Sequence, residues 1–476
     1  MTTIAHPSVE ERRSQGKTLR KVLEPAGHAG WTPAPDRPDP IALLEAQNAK
    51  REPDLVPVRH GRMMVSPFTF YRGAAKIMSA DLKDTPRAGL TVQLCGDAHL
   101  SNFGVFASPE RTLVFDLNDF DETLPGPFEY DVKRMAASFT IAARNNGYSD
   151  AETREITRTS VTAYREAMAE FAGMPLMDIW YARTSASDLI TAVDNATRSL
   201  GGTSKAKEGK TIEKRAHRTL AKAQTRDSLQ ALSKFTEVVD GRYRIVAQPP
   251  VIVSLVETAE RLGLPAEGIQ DMIQDQFRAY RATLQDDRRR LLERFEFVDA
   301  ARKVVGVGSV GTRAFMVLLQ GRDQGDPLFL QVKEATASVL EDHLPKSRYS
   351  QPGERVVQGQ RLMQAASDIF LGWTKGVQAN RYMYWRQLRD MKGSVDVEGM
   401  FPDALSFYAR VCGQTLARAH ARSGDPVALA AYLGKKDRFD QSITDFSERY
   451  ADQNERDFQA FTKAIQSGRL EALEGV

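Results

Sequence analysis

Cysteine is nearly missing from this chain of 476 residues, which has two, Cys95 and Cys412. Two thiols cannot build a disulfide framework, and such sparse use fits a reducing compartment. Long apolar runs are missing as well: none approaches the roughly 18–20 residues that a membrane span needs. The opening stretch MTTIAHPSVEERRSQGK is polar and charged and has no apolar core of the secretory kind. The cytoplasm is therefore the expected location, with no membrane partner. A large excess of one charge is absent too. A net charge of +3 does not demand nucleic acid, although it suits an anionic ligand such as a nucleotide. No internal repeat is found.

What remains is globular in character, with 42% hydrophobic and 27% charged residues. The length exceeds one small core, so two or more packed subdomains are expected. Residues 1–55 are rich in Pro, Gly and charge (GHAGWTPAPDRPDP) and read as an arm laid over the surface or partly disordered. Residues 56–294 read as a large helical lobe that carries a strand–loop–strand insert, LTVQLCGDAHLSNFGVF, followed by the strand TLVFDLNDFDE. Ser66-Pro67 opens a helix over 66–82, with Ser as N-cap and Pro at the first helical position. Residues 131–147 have helical apolar spacing and stop at Asn-Asn-Gly. Residues 295–395 read as a small β-rich lobe: an antiparallel meander, a helix from Gly353 to Ser367, then two strands. Residues 396–476 read as helices packing on the large lobe. The fold class expected is α+β with two lobes.

Three clusters carry chemistry. In GDAHLSN, Asp97 and Asn102 share a loop between strands. An aspartate there can take a proton from an attacking hydroxyl, and an asparagine carbonyl oxygen is a hard ligand suited to Mg²⁺. Asp116 ends the next strand, where a hairpin returns it beside Asn102, and it is read as a second metal ligand. Asp119 and Asp121 are supporting acids. His99 is read as orienting the loop. The second cluster is Gly306-Val307-Gly308-Ser309-Val310-Gly311. A strand-like run follows it rather than a helix, so the glycines suit a loop whose backbone N–H groups cover nucleotide phosphates, with no Cβ to hold them away. The third is Lys333, mid-strand in LFLQVKEA, where an ammonium among apolar neighbours calls for an anion. A helix-borne glutamate is expected to hold it, with Glu341 and Glu354 both open as candidates.

CGDAHLSNFG followed by LVFDLNDFDE resembles the catalytic loop and metal aspartate of the aminoglycoside and choline phosphotransferase branch of the protein-kinase-like superfamily. The resemblance implies ATP and Mg as cofactors, Asp97 as base, Asn102 and Asp116 as metal ligands, and Asp131 as anchor of the loop. It makes GVGSVG and QVKEA the glycine loop and phosphate lysine. Cys95 stands where that branch carries His or Tyr. The order differs, since here the catalytic loop precedes the lysine, which implies a circular permutation with the small lobe moved behind the large one. GQTLARAHARSGD resembles the helix that normally leads into the catalytic loop. The whole chain also resembles the bacterial domain of unknown function 2252 family through SPFTFYRG, CGDAHLSNFG, FDLNDFDE, QVKEA, GQRLMQAASDIFLGW and RQLRDMKGS.

The leading expectation is an ATP- and Mg-dependent phosphotransferase acting on a small molecule or a protein. Transfer of AMP from the same site is the neighbouring reading. The alternatives are a metal-dependent hydrolase using Asp97, His99, Asp116 and Asp119, and a silent nucleotide-binding protein. The basic stretch 203–226 lacks aromatic stacking residues, so it reads as a solvated helix face and not as a nucleic-acid surface.

Overall fold

In the computed structural model, residues 6–199, 206–261, 269–304, 306–388 and 391–475 are described. The fold is α+β. Apart from the helices it contains a six-stranded antiparallel sheet, ordered in space Gly372–Lys375, Tyr382–Gln387, Pro327–Glu334, Ala314–Gln320, Glu296–Lys303, Ile252–Ser254. A second sheet sets Gly393–Ser394 beside Phe103–Ala107, Leu113–Leu117 and Thr184–Ser185, and a separate pair joins Thr91–Leu94 to Leu124–Pro127. That pair closes the neck of a long excursion, with Leu94 opposite Leu124. Both the Gly-Asp loop and the acidic strand end lie inside it.

The meander runs as expected, and its register puts Lys333 between Ala314 and Tyr384. The helix after it covers Pro352–Met363. The Ser66 N-cap forms as read: its Oγ accepts from Thr69 N–H at 3.1 Å and its own N–H donates to Thr69 Oγ1 at 2.9 Å. The helix ends at Gly73, and a second one, Ala75–Leu82, begins after Ala74. The helix behind the loop is Phe128–Asn145, buried along almost its whole length.

Two expectations need correction. From His6 on, the N-terminal residues are laid against the fold as packed helices and turns, so the partly disordered reading is the one that falls. The helix Val9–Val22 lies so close to Pro426–Leu433 that a Cβ on Gly16 would stand 2.2 Å from the Ala428 carbonyl oxygen. His28 is fully buried against the Tyr432 hydroxyl at 2.7 Å, and Trp31 packs on Tyr450. The apolar partners of this segment lie some 400 residues away (404 for His28), which local composition does not reveal. The lobe boundary also falls earlier than residue 295. Ile252–Ser254 is the edge strand of the six-stranded sheet, and Tyr280, on the helix Ile269–Arg281, stacks on Trp385 of that sheet at 4.5 Å. Before it, Thr236–Val239 and Arg242–Ile245 form a hairpin whose turn, Asp240-Gly241, has positive φ at both residues (50° and 73°). That dipeptide is a strong hairpin signal within a stretch that otherwise reads as helical.

The C-terminal helices Pro402–Ala421 and Arg438–Gln466 pack on Asp150–Phe171 and Phe128–Asn145. Of the basic stretch, 203–205 lie outside the described residues, and the rest begins the helix Ala206–Gln224. Among the described residues no helix is long and apolar enough to cross a membrane.

Candidate functional site

The Gly-Asp loop is fastened from behind. Asp131, on the helix Phe128–Asn145, accepts from the backbone N–H of Cys95 at 2.7 Å and of Gly96 at 3.0 Å, and His420 Nε2 sits 3.3 Å from it. Leu100 N–H donates to Ser138 Oγ, about two turns further along the same helix, at 3.0 Å. Gly96 has φ +85°, and a Cβ there would stand 2.3 Å from the Glu122 carbonyl oxygen, so only glycine lets the acidic segment come this close.

With the backbone held, the side chains are aimed. Arg134 Nε donates to Asp97 Oδ1 at 2.8 Å, and the same guanidinium lies 3.9 Å over the Tyr71 ring. Arg134 and Tyr71 also exchange hydrogen bonds through each other's carbonyls, at 2.8 and 2.9 Å. Burial raises the Asp97 pKa above the usual aspartate value, with Arg134 opposing. Asn102 Nδ2 donates to the Asp97 carbonyl at 2.7 Å, so the amide oxygen is the end left over. His99 is buried with its Nε2 3.8 Å from Asp97 Oδ2. Burial, together with Arg134 and Arg72, pushes its pKa well below the ordinary value, so the ring is neutral.

Asp116 does not join them. Its carboxylate is wholly buried, paired with Arg418 at 2.5 Å and accepting from the N–H groups of Ala365 and Leu117, each at 2.8 Å. Three protein donors hold it and it does not line the cleft, so the expected metal-ligand role is corrected to a structural one. The acid that faces the cleft is Asp119, three residues on. Its Oδ1 is buried with no hydrogen-bond partner, and the nearest ammonium, Lys333, stands at 3.7 Å. The hydrolase ligand set loses Asp116 for the same reason. Among the described residues, the His/Cys/Asp/Glu group close enough to hold a metal is Asp194, Glu213 and His217, none of them in that set.

Lys333 is also held differently from expectation. Its ammonium donates to Asp121 Oδ2 at 2.6 Å, and Tyr384 donates its hydroxyl to the other oxygen at 2.6 Å. Burial alone would lower the lysine pKa, but Asp119 and Asp121 more than offset it and hold the group charged. Neither glutamate serves. Glu341 caps its own short helix through the Ser338 N–H and lies 3.9 Å from Arg355. Glu354 sits in the first turn of Pro352–Met363. The next residue of that helix, Arg355, reaches the acidic segment instead, donating to the carbonyls of Thr123, Asp121 and Thr336 at 2.5, 2.7 and 2.9 Å.

The glycine turn closes the other side. Gly306 and Gly311 have φ +70° and +90°. The N-terminal segment grips its carbonyls: Arg62 donates to Gly306 O at 2.6 Å, Glu52 N–H to Gly311 O at 2.7 Å, and Arg51 to Val310 O. The N–H groups of Val307, Gly308 and Ser309 have no protein acceptor among the described residues. Ser309 Oγ reaches Asp121 at 3.4 Å. Asp97, Asn102, Asp119, Gly306, Gly308 and Ser309 therefore line one cleft, of about 260 Å³. Lys50, Arg51, Arg72 and Lys76 add positive charge to its wall. No motif in the sequence marks these four, and two of them, Lys50 and Arg51, lie in the N-terminal segment that reads as a surface arm.

A family model described as "Uncharacterized protein conserved in bacteria (DUF2252)" matches residues 51–464. The chain belongs to this family. The DUF2252 match takes in the Gly-Asp loop, the acidic segment, the glycine turn and Lys333. It begins at Arg51, the residue that grips Val310. No curated protein and no solved structure matches the chain significantly.

Proposed function

We propose that this protein is a kinase-like phosphotransferase that uses ATP with Mg²⁺, on a kinase-like fold in circularly permuted order. The observation that carries the reading is one cleft lined by two separate stretches of chain, Asp97, Asn102, Asp119 and Asp121 on one side and the glycine turn on the other, with the buried Lys333 bonded to Asp121 behind its wall. The helix between the lysine strand and the strand Gly372–Lys375 supports it as well, because it reaches across to the acidic segment.

The residues suit the ligands. Asp119 Oδ1 is an orphaned carboxylate oxygen and Asn102 has an unused amide oxygen, a hard-oxygen pair fit for Mg²⁺. Bound there, the ion would neutralise phosphate charge. The N–H groups of Val307, Gly308 and Ser309, without a protein acceptor among the described residues, are suited to hold phosphate oxygens. Asp97 accepts the acceptor hydroxyl's proton as the acceptor oxygen forms its bond to the terminal phosphorus and the bridging P–O bond to the nucleotide breaks. The raised pKa that burial gives Asp97 favours that task, and Arg134 fixes its direction.

Calorimetric titration with ATP, with and without Mg²⁺, tests binding, and γ-labelled ATP incubated with the protein and cell extract tests transfer. Mg-dependent ATP binding is expected, with Asp97→Asn retaining binding and losing transfer. Absence of Mg-dependent binding, or full transfer by Asp97→Asn, overturns the assignment. Binding without transfer to any acceptor would favour the silent nucleotide-binding protein.

A further inference from the structure

The segment SPFTFYRG is prominent in the sequence, yet none of its residues belongs to the cluster just assigned. Its helix, Pro67–Gly73, runs behind the Gly-Asp loop and ends at the cleft. Tyr71 clamps Arg134, which in turn directs Asp97. The next residue is Arg72. A Cβ placed on Gly308 would stand 3.1 Å from the Arg72 carbonyl oxygen, so the glycine turn rests directly on this residue.

The other cations that line the cleft or stand behind its wall are occupied or exposed. Lys333 is paired with Asp121, Lys76 with Asp342 at 2.6 Å, Arg134 with Asp97, and Arg51 with a carbonyl of the turn, while Lys50 is exposed. Arg72 has its Nε buried with no hydrogen-bond partner, and among the described residues no ion pair holds its guanidinium. Asp97 and Glu398 attract its charge without bonding to it. Leaving the buried Nε donor unmade is costly, and an anion held side-on by Nε and a terminal nitrogen, between Arg72 and the glycine turn, would remove that cost.

We infer that Arg72 binds the terminal phosphoryl group of the nucleotide, placed between the glycine turn and Asp97, where the group passes to its acceptor. The inference rests on the phosphotransferase reading and adds to it a residue from outside the glycine turn, the lysine strand and the acidic segment. A guanidinium there offers a planar pair of N–H donors to two phosphoryl oxygens, which a lysine cannot copy.

The test compares Mg-ATP, Mg-ADP and inorganic tripolyphosphate on wild type, Arg72→Gln and Arg72→Lys. ATP affinity should fall about tenfold in Arg72→Gln, the worth of one charge-assisted contact, while ADP affinity stays unchanged and so reports an intact fold. Arg72→Lys should show a smaller loss, about threefold, again for ATP alone, and it carries the test if the glutamine variant does not fold. Equal losses for ATP and ADP, or no ATP loss in either variant, overturn the inference. If wild type binds neither nucleotide, the phosphotransferase reading falls and tripolyphosphate decides the rest. Binding that Arg72→Gln abolishes keeps an anion site at Arg72, and no binding removes it.

Discussion

Asp116 and Asp119 lie three residues apart, and the structure gives them opposite jobs that one pair of variants can separate. Asp116 has no exposed surface, and its carboxylate satisfies Arg418 and two backbone N–H groups. Arg418 is itself only 4% exposed. Removing one member of a buried ion pair costs about 3–5 kcal/mol, and an orphaned buried N–H adds about 1–3. Asp116→Ala therefore loses about 4–8 kcal/mol, a large part of the roughly 5–15 kcal/mol that holds a domain together. Asp116→Asn keeps one oxygen acceptor and should lose about half as much. Asp119 has nothing comparable to lose: one of its oxygens has no hydrogen-bond partner, and Asp121 already neutralises Lys333. Asp119→Ala should change stability by no more than about 1 kcal/mol.

Urea unfolding measures the first quantity, and thermal stabilisation by ATP with and without Mg²⁺ measures the second. Saturating ligand at 100 times its dissociation constant adds about 2.7 kcal/mol to the wild type. The Mg-dependent part of that gain should persist in folded Asp116→Asn and vanish in Asp119→Ala. A wild-type urea midpoint for Asp116→Asn together with lost Mg dependence would show that Asp116 is the metal ligand after all and that this reasoning is wrong.

Two further outcomes follow from the same network. Lys333→Met strips Asp121 of its ammonium and should cost about 3 kcal/mol; adding Asp121→Asn should restore most of that stability but not nucleotide binding, and a strictly additive double variant would deny the coupling. Burial pushes the Glu122 carboxyl up to about 7, against the opposing effects of Arg355 and the Val339 N–H. A folded-state pKa above the unfolded value of 4.5 means the folded protein holds this proton more tightly. Stability is therefore present below about pH 4.5 and lost as pH rises through about 7, by up to about 3 kcal/mol. Glu122→Gln should gain on wild type across that window in urea titrations, and a pH-independent difference between the two would rule the account out.

Much of this fold could be read from local pattern. The Ser66-Pro67 start, the meander around Lys333 and the strand–loop–strand about Asp97 all follow from short-range spacing and turn chemistry, and the structure has each of them. The failures share a cause. The strand Leu113–Leu117 is buried at every position, so alternation gives no hint of which acid faces the cleft, and the partner that claims Asp116 is 302 residues away. For Lys333 the resemblance implies a helix-borne glutamate, which the structure does not supply. The acidic segment already supplies Asp121, and the helix contributes a cation, Arg355. Trp31 and His28 looked like loop residues because the rings they pack on belong to the last helices. Asp240-Gly241 was a legible hairpin signal obscured by the helical stretches around it.

The pairing of Asp116 with Arg418 has a bearing on how the chain is made. A ribosome adding roughly 5–20 residues per second delivers the arginine about 15–60 s after the aspartate, given their 302-residue separation. Throughout that interval the nascent Gly-Asp loop lacks Arg418 and His420, the residues that steady Asp116 and Asp131, and for roughly the first two-thirds of it Asp121 lacks Lys333 as well. The cleft is therefore a late product of synthesis, and a fragment cut short before about residue 420 would carry the full set of acidic side chains without a working arrangement of them.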